Sequence, residues 1–312
     1  MLARFKFIGL FATCLIIVFS IHSHVLSQSP QSSTAQTDQD QDDVLRINTD
    51  LVVLNVTVLD ADGKFVPGLT RNDFKVLEDR AEQTISAFSA EETPFAAAIL
   101  LDTSGSMESR MTLARSAAIR FLDGLRETDV AAVYSFDAKV ERWNDFSPGR
   151  DLPARVYGLH SKTLTALNDA ILRASDDLAK RDEKRRAIVV LSDGGENYSH
   201  ASADKALDHA SAAGATIYGV NMSPVGPSRD IAGAAILKNL ASKSGGRYID
   251  QPGGQDLRDA FGEIVEELGH QYTITYRPTN RAKDGKWRAI DVKLSRSNLT
   301  VRTRKGYRAP KA

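Results

Sequence analysis

The sequence predicts an α/β fold in which a doubly wound, mostly parallel sheet is inserted in a small β-sandwich-like domain built from both flanks. Three observations carry that expectation. Between Pro94 and Gly269, apolar runs of strand length alternate with amphipathic stretches of helical length, the pattern of a parallel sheet covered on both faces. On either side of this region the texture is β-rich, with turn signals and no helical period. The run Asp102-Thr103-Ser104-Gly105-Ser106 follows the first apolar run directly, at the carboxyl end of a strand, where open α/β sheets bind their ligands.

The chain begins with Arg4 and Lys6, an apolar run from Phe7 to Ile21, and Val25-Leu26-Ser27. That order is a basic region, an apolar region and a small residue at a cleavage site, so residues 1–27 read as an export signal. The apolar run is shorter than the ~20 residues of a spanning helix. Cys14 lies inside the signal, so cleavage after Ser27 leaves no thiol, and 38 basic against 40 acidic side chains. The expected location is periplasmic or extracellular, with an uncleaved signal anchor as the alternative and no membrane span once the signal is removed. Residues 28–44 are rich in Gln, Ser, Thr and Asp, which favours a disordered linker. With Lys+Arg and Asp+Glu both at 40, no net field favours nucleic acid.

From residue 45 to 92 the pattern is β. Leu51–Leu59 is rich in β-branched residues and stops at Asp60-Ala61-Asp62-Gly63; Phe74–Leu77 and Thr84–Phe88 follow as short strands. Over residues 94–269 the strand candidates are Phe95–Leu101, Val130–Phe136, Ala187–Leu191 and Ala215–Val220, with Arg247–Ile249 weaker. Helical stretches lie at Met107–Leu125, Thr165–Lys180, Ala203–Ala213, Ile231–Ser244 and Asp256–Leu268. Leu113, Ala117, Phe121 and Leu125 recur every fourth residue, one helical stripe. Val140–Phe146 reads as an antiparallel edge strand. Over residues 271–308, Tyr272–Tyr276, Trp287–Leu294 and Leu299–Thr303 alternate as strands. Neither flank makes a convincing core alone, so the two are expected to pair into one domain, with the α/β module inserted between them.

Two further segments carry oxygen ligands to the same predicted rim. Asp193 follows the strand Ala187–Leu191, and Thr165 opens the helix before that strand, with Thr163 as the weaker alternative. A few carboxylates and hydroxyls form a hard oxygen surface suited to Mg²⁺. Taken singly, Ser106 and Thr165 are ordinary helix caps, and Asp193-Gly194-Gly195 is an ordinary turn.

Here the sequence resembles the von Willebrand factor A-type domain, whose metal-ion-dependent adhesion site is built from D-x-S-x-S, a distant Thr and a distant Asp. The resemblance spans about Pro94 to Gly269 and implies a Rossmann-like A-domain fold. It places Asp102, Ser104, Ser106, Thr165 and Asp193 as the metal site, with Thr165-Ala166-Leu167-Asn168-Asp169-Ala170 similar to the family's T-A-L-x-D-A. The implied cofactor is Mg²⁺, with Mn²⁺ or Ca²⁺ as alternatives. The implied partner is a protein offering an Asp or Glu carboxylate. Gly68-Leu69-Thr70-Arg71-Asn72-Asp73-Phe74 and Arg304-Lys305-Gly306-Tyr307 further resemble the opening and close of a group of secreted bacterial proteins that embed this domain in β-rich flanks.

Other functions are weaker on the residues. A phosphatase of the haloacid dehalogenase type needs a second acid where Ser104 stands, and without it the leaving group lacks its proton donor. No phosphate loop, H-E-x-x-H helix or G-x-S-x-G elbow is present. His22 and His24 fall in the signal, and His160, His200, His209 and His270 are scattered. The expectation is therefore a metal-dependent protein-binding or adhesion module and not an enzyme. The alternatives are a structural envelope scaffold with a loop-stabilising metal and, more remotely, a hydrolase.

Overall fold

Continuous apolar runs form the central strands because both faces of their sheet are covered. In the computed structural model, which describes residues 51–90, 92–158, 164–224, 226, 229–250 and 254–311, every residue of the strand Phe95–Asp102 is buried. The signal, the linker, Thr163 and His160 lie outside the described residues. Among the described residues, no helix is long and apolar enough to cross a membrane.

The first flank supplies β1 (Val52–Leu59), β2 (Phe74–Glu78), β3 (Ala81–Gln83) and β4 (Ile85–Ser89). The α/β region follows as β5 (Phe95–Asp102), α1 (Met111–Asp123), β6 (Val130–Phe136), β7 (Val140–Arg142) and α2 (Leu167–Leu178). It continues through β8 (Arg185–Ser192), α3 (Ala203–Ala212), β9 (Ala215–Asn221), α4 (Ile231–Ser244), β10 (Tyr248–Asp250) and α5 (Gly254–His270). The second flank adds β11 (Tyr272–Tyr276), β12 (Trp287–Leu294), β13 (Thr300–Arg302) and β14 (Gly306–Arg308).

The central sheet has six strands in the order β10-β9-β8-β5-β6-β7. All pair in parallel except β7, which runs antiparallel to β6 at the edge. On one face α1 and α5 pack through Phe121, Leu122, Phe261 and Ile264; on the other, α2, α3 and α4 pack through Ile171, Ala210 and Leu237. The chain leaves β5 toward β6 and later returns to β5's other side through β8. The carboxyl ends of β5 and β8 thus form a topological switch point, the place where such sheets leave a crevice.

The flanks build two antiparallel four-stranded sheets, β13-β1-β11-β4 and β14-β12-β2-β3, each mixing strands from before and after the α/β region. Between them lies an apolar core that includes Leu54, Val56, Val76, Ile274, Ile290 and Val292. In β12 buried and exposed residues alternate strictly over the first seven positions, the mark of a strand with one face on a core.

Several elements differ from the sequence expectation. The stretch Met107–Leu125 opens as a 3-10 turn over Gly105–Arg110, and α1 proper begins only at Met111. The edge strand stops at Arg142 instead of Phe146, because the Asn144 side chain accepts the Val133 N–H at 2.7 Å in place of a backbone carbonyl. The strands β3 and β14 are additional. Trp143 covers the sheet, donating from Nε1 to Ser135 Oγ at 2.8 Å.

Candidate functional site

Asp102 ends β5 and is fully buried. The carboxylate is held from two directions: the Ser104 N–H donates to Oδ1 at 2.8 Å, and the Ser192 hydroxyl at the end of β8 donates to Oδ2. Ser192 Oγ in turn accepts the Gly194 N–H at 2.9 Å. One serine thus ties the ends of neighbouring strands together and fixes the turn that carries Asp193. That turn needs glycine: Gly194 has φ of +86°, and a Cβ there would lie 2.1 Å from the Gly233 carbonyl oxygen.

Ser104 is buried and Ser106 exposed, with their hydroxyl oxygens 3.1 Å apart. Thr103 anchors this loop to β6, its N–H donating to the Phe136 carbonyl at 2.8 Å. The next residue on β6's side, Asp137, accepts the Ala166 N–H with its own carbonyl at 2.8 Å, which brings the Thr165 segment to the same rim.

The segment after Asp193 completes the arrangement. Asn197 Oδ1 accepts the Thr165 N–H at 2.9 Å, and the Asn197 and Tyr198 N–H groups both donate to the Thr165 carbonyl at 3.1 Å. Glu196 accepts the Asn168 N–H at 2.8 Å and so caps α2 from another segment. A Cβ on Gly195 would lie 3.2 Å from Asp193 Oδ1 and 3.8 Å from Thr165 Oγ1, so carboxylate and hydroxyl face the same spot. Of the five residues singled out from sequence, Asp102, Ser104 and Ser106 form one hydrogen-bonded group and Thr165 and Asp193 lie together in a second, and Ser192 joins the two at the switch point. Thr165 and Asp193 are buried apart from small fractions, 3% and 6%.

Electrostatics set Asp102 apart. Burial pushes its carboxyl up to about 6, against hydrogen bonds from Ser104 and Ser192, and the nearby Asp193 charge adds to the rise. A buried carboxylate beside a second acid is a group for which a cation would supply the missing positive charge. Among the described residues no three His, Cys, Asp or Glu side chains gather as a cation cage. The donors here are instead two carboxylates and three hydroxyls, a hard oxygen set that fits Mg²⁺ or a similar ion. Asp102 Oδ1 accepts the Ser104 N–H and Oδ2 the Ser192 hydroxyl, and an ionised carboxylate has about four acceptor positions in all.

Sequence reasoning missed the residues that hold this site in shape: Ser192, Glu196 and Asn197. The signal was their position in the unbroken run Ser192-Asp193-Gly194-Gly195-Glu196-Asn197.

Residues 97–196, which contain all five, match the family model of the von Willebrand factor type A domain. The chain carries a von Willebrand factor A-type domain. No curated protein matches the chain. Similar solved structures include the vWF domain of the type V pili tip protein Mfa5 from Porphyromonas gingivalis, 15% identical, covering 57% of this chain and 96% of that one, with a TM-score of 0.48. A von Willebrand factor type A protein from Catenulispora acidiphila is 13% identical over 86% of this chain and 75% of that one, with a TM-score of 0.47. The protein BatB from Bacteroides thetaiotaomicron is 20% identical over 56% of this chain and 98% of that one, with a TM-score of 0.44.

Proposed function

We propose that this A-domain is an exported, metal-dependent protein-binding module. In this reading Asp102, Ser104, Ser106 and Thr165 hold a divalent cation directly or nearly so, and Asp193 acts through a water. The cation, Mg²⁺ or alternatively Mn²⁺ or Ca²⁺, supplies an electrophilic point with an open position, which a partner's Asp or Glu carboxylate fills. The observation that carries this reading is the joining of Asp102 to the Asp193 turn through Ser192, which sets two carboxylates and the serine hydroxyls at one strand-end crevice.

A purely loop-pinning role for the metal fits less well, because the same loops are already fastened by protein hydrogen bonds from Ser192, Asn197 and Thr103. Export rests on the arrangement of residues 1–27.

Titration calorimetry with Mg²⁺ and Mn²⁺ tests the site. Saturable heat is expected for the wild type and none for Asp102→Ala; equal traces overturn the site. Capture of envelope proteins by the immobilised domain is expected to vanish with chelator, and capture indifferent to chelator refutes the metal-dependent mode.

A further inference from the structure

At the opposite end of the sheet from Asp102, a cleft of about 620 Å³ opens between the start of β8, the end of α3 and the sheets built by the flanks. Six cationic side chains line it: Lys184, Arg186, Arg281, Lys283, Arg304 and Arg308. Among the described lining residues Asp208 is the one carboxylate, and Arg308 Nε already engages it at 2.7 Å. In a chain with equal numbers of basic and acidic side chains, this is a concentrated positive surface.

The half-buried pair at its base sharpens the point. Arg186 donates to the carbonyls of Glu183 at 2.8 Å and Ala213 at 2.7 Å, and Arg304 to those of Ser211 at 2.6 Å and Val53 at 3.0 Å. Main-chain carbonyls accept from these guanidiniums without cancelling their charge, and Arg304 Nε is buried without a partner among the described residues. Burial accordingly pulls both guanidiniums below their ordinary range, with Glu183 beside Arg186, and Tyr276, Tyr307 and Glu78 beside Arg304, acting the other way. Among the described residues Lys184, Arg281 and Lys283 make no ion pair, and all three are exposed. Leu51, Val53, Pro278 and Tyr307 provide apolar lining between the charges.

We propose that this cleft binds an acidic segment of a protein partner, with its carboxylates on the rim cations and its apolar side chains against Leu51, Val53 and Tyr307. The mixed lining selects this occupant. A bare phosphate gains nothing from the apolar residues, and a flat anionic membrane does not reach into a cleft. Arginine forks suit carboxylates in two-point contact, and alternating apolar side chains supply the desolvated contacts that give such an interface its energy. The cleft is remote from the A-domain's candidate metal site, so its binding is independent of metal.

Fluorescence anisotropy of a labelled pentapeptide alternating glutamate and leucine, at low salt, tests this. Saturable binding is expected, weakened at least about tenfold by Arg281→Glu combined with Lys283→Glu and reduced by added salt. A glutamine–leucine peptide is expected not to bind, and chelator and Asp102→Ala are expected to change nothing. Both substitutions are at exposed positions, and an unchanged melting temperature verifies that the fold survives. Equal affinity in the double variant overturns the proposal, as does the absence of peptide binding, whether or not phosphatidylglycerol vesicles or inorganic phosphate bind. Loss of peptide binding on chelation alone assigns the peptide to the metal site and also overturns it.

Discussion

The two ends of the central sheet are made by the same strands and treat their polar atoms in opposite ways. At the carboxyl ends, Asp102, Ser104, Thr165 and Asp193 gather at neighbouring strand ends, and the hydrogen bonds that hold them come from residues up to 90 positions away. At the amino ends, polar groups are used to fasten the sheet to its surroundings. Arg185, fully buried at the start of β8, donates to the carbonyls of Leu268 at 3.3 Å, Gly269 at 2.7 Å and Gln271. Glu267 accepts from Thr57 at 2.9 Å, Tyr218 at 3.0 Å and Arg302, linking β1, β9, α5 and β13. One end therefore keeps acceptor capacity for a ligand, whereas the other directs it inward. Stability and binding are expected to separate along this axis.

Arg185→Met is the largest test of that separation. The substitution keeps apolar bulk but leaves a row of buried carbonyls without their donor, which is expected to cost about 3–5 kcal/mol of unfolding free energy, read from denaturant midpoints. The affinity for Mg²⁺ is expected to stay within about twofold, because the carboxyl-end loops are fastened to one another. A tenfold loss of Mg²⁺ affinity in this variant breaks the comparison by showing that the two ends are coupled.

The same contrast explains what could be read in the sequence. β5, β6, β8 and β9 were legible because burial on both faces demands unbroken apolar runs, and the oxygen-bearing residues were legible because each stands at a strand end or helix start. What was hidden depends on contacts distant in sequence. β3, reading Ala81-Glu82-Gln83, has no strand character of its own and is extended only because β2 pairs with it. β14, Gly306–Arg308, likewise owes its conformation to β12. Ser192 reads as one more strand residue until the fold brings Asp102 beside it, and Asn197 reads as loop until the Thr165 N–H meets it. Asn144, which ends β7 early, offers no local signal that its side chain replaces a backbone acceptor.

Acidity gives a second, smaller test. The Asp102 carboxyl titrates near 6 in the folded protein against an ordinary value of 3.8. Between those values the folded state holds a proton that the unfolded chain has released. In chelator, stability contributed by this group is thus present below the ordinary value and lost as pH rises through about 6, a fall of about 2–3 kcal/mol. Asp102→Asn is expected to flatten that component, and the difference between the two stability–pH curves isolates it. Metal binding has the opposite dependence, since ligands must be ionised: Mg²⁺ affinity is expected to weaken as pH falls through about 6. Curves for wild type and Asp102→Asn that run parallel overturn the assignment of a raised pKa to Asp102.

The smallest effect on stability falls at the carboxyl rim. Asn197 is exposed, and its side chain does one described thing: it accepts the Thr165 N–H at 2.9 Å. Asn197→Ala is expected to cost about 1 kcal/mol of stability or less, because two backbone hydrogen bonds at 3.1 Å still hold the Thr165 carbonyl. Its effect on Mg²⁺ affinity is expected to be larger in proportion, a loss of about three- to tenfold, since ligand positions held by partner hydrogen bonds lose affinity when those partners are removed. Asn197→Asp keeps an acceptor oxygen and is expected to restore affinity. Arg185→Met and Asn197→Ala then form a reciprocal pair, one destabilising the protein without touching the metal site and the other loosening the site at little cost in stability. If Asn197→Ala leaves Mg²⁺ affinity unchanged, Thr165 is not a ligand, and the hydroxyls at this rim reduce to those of Ser104 and Ser106.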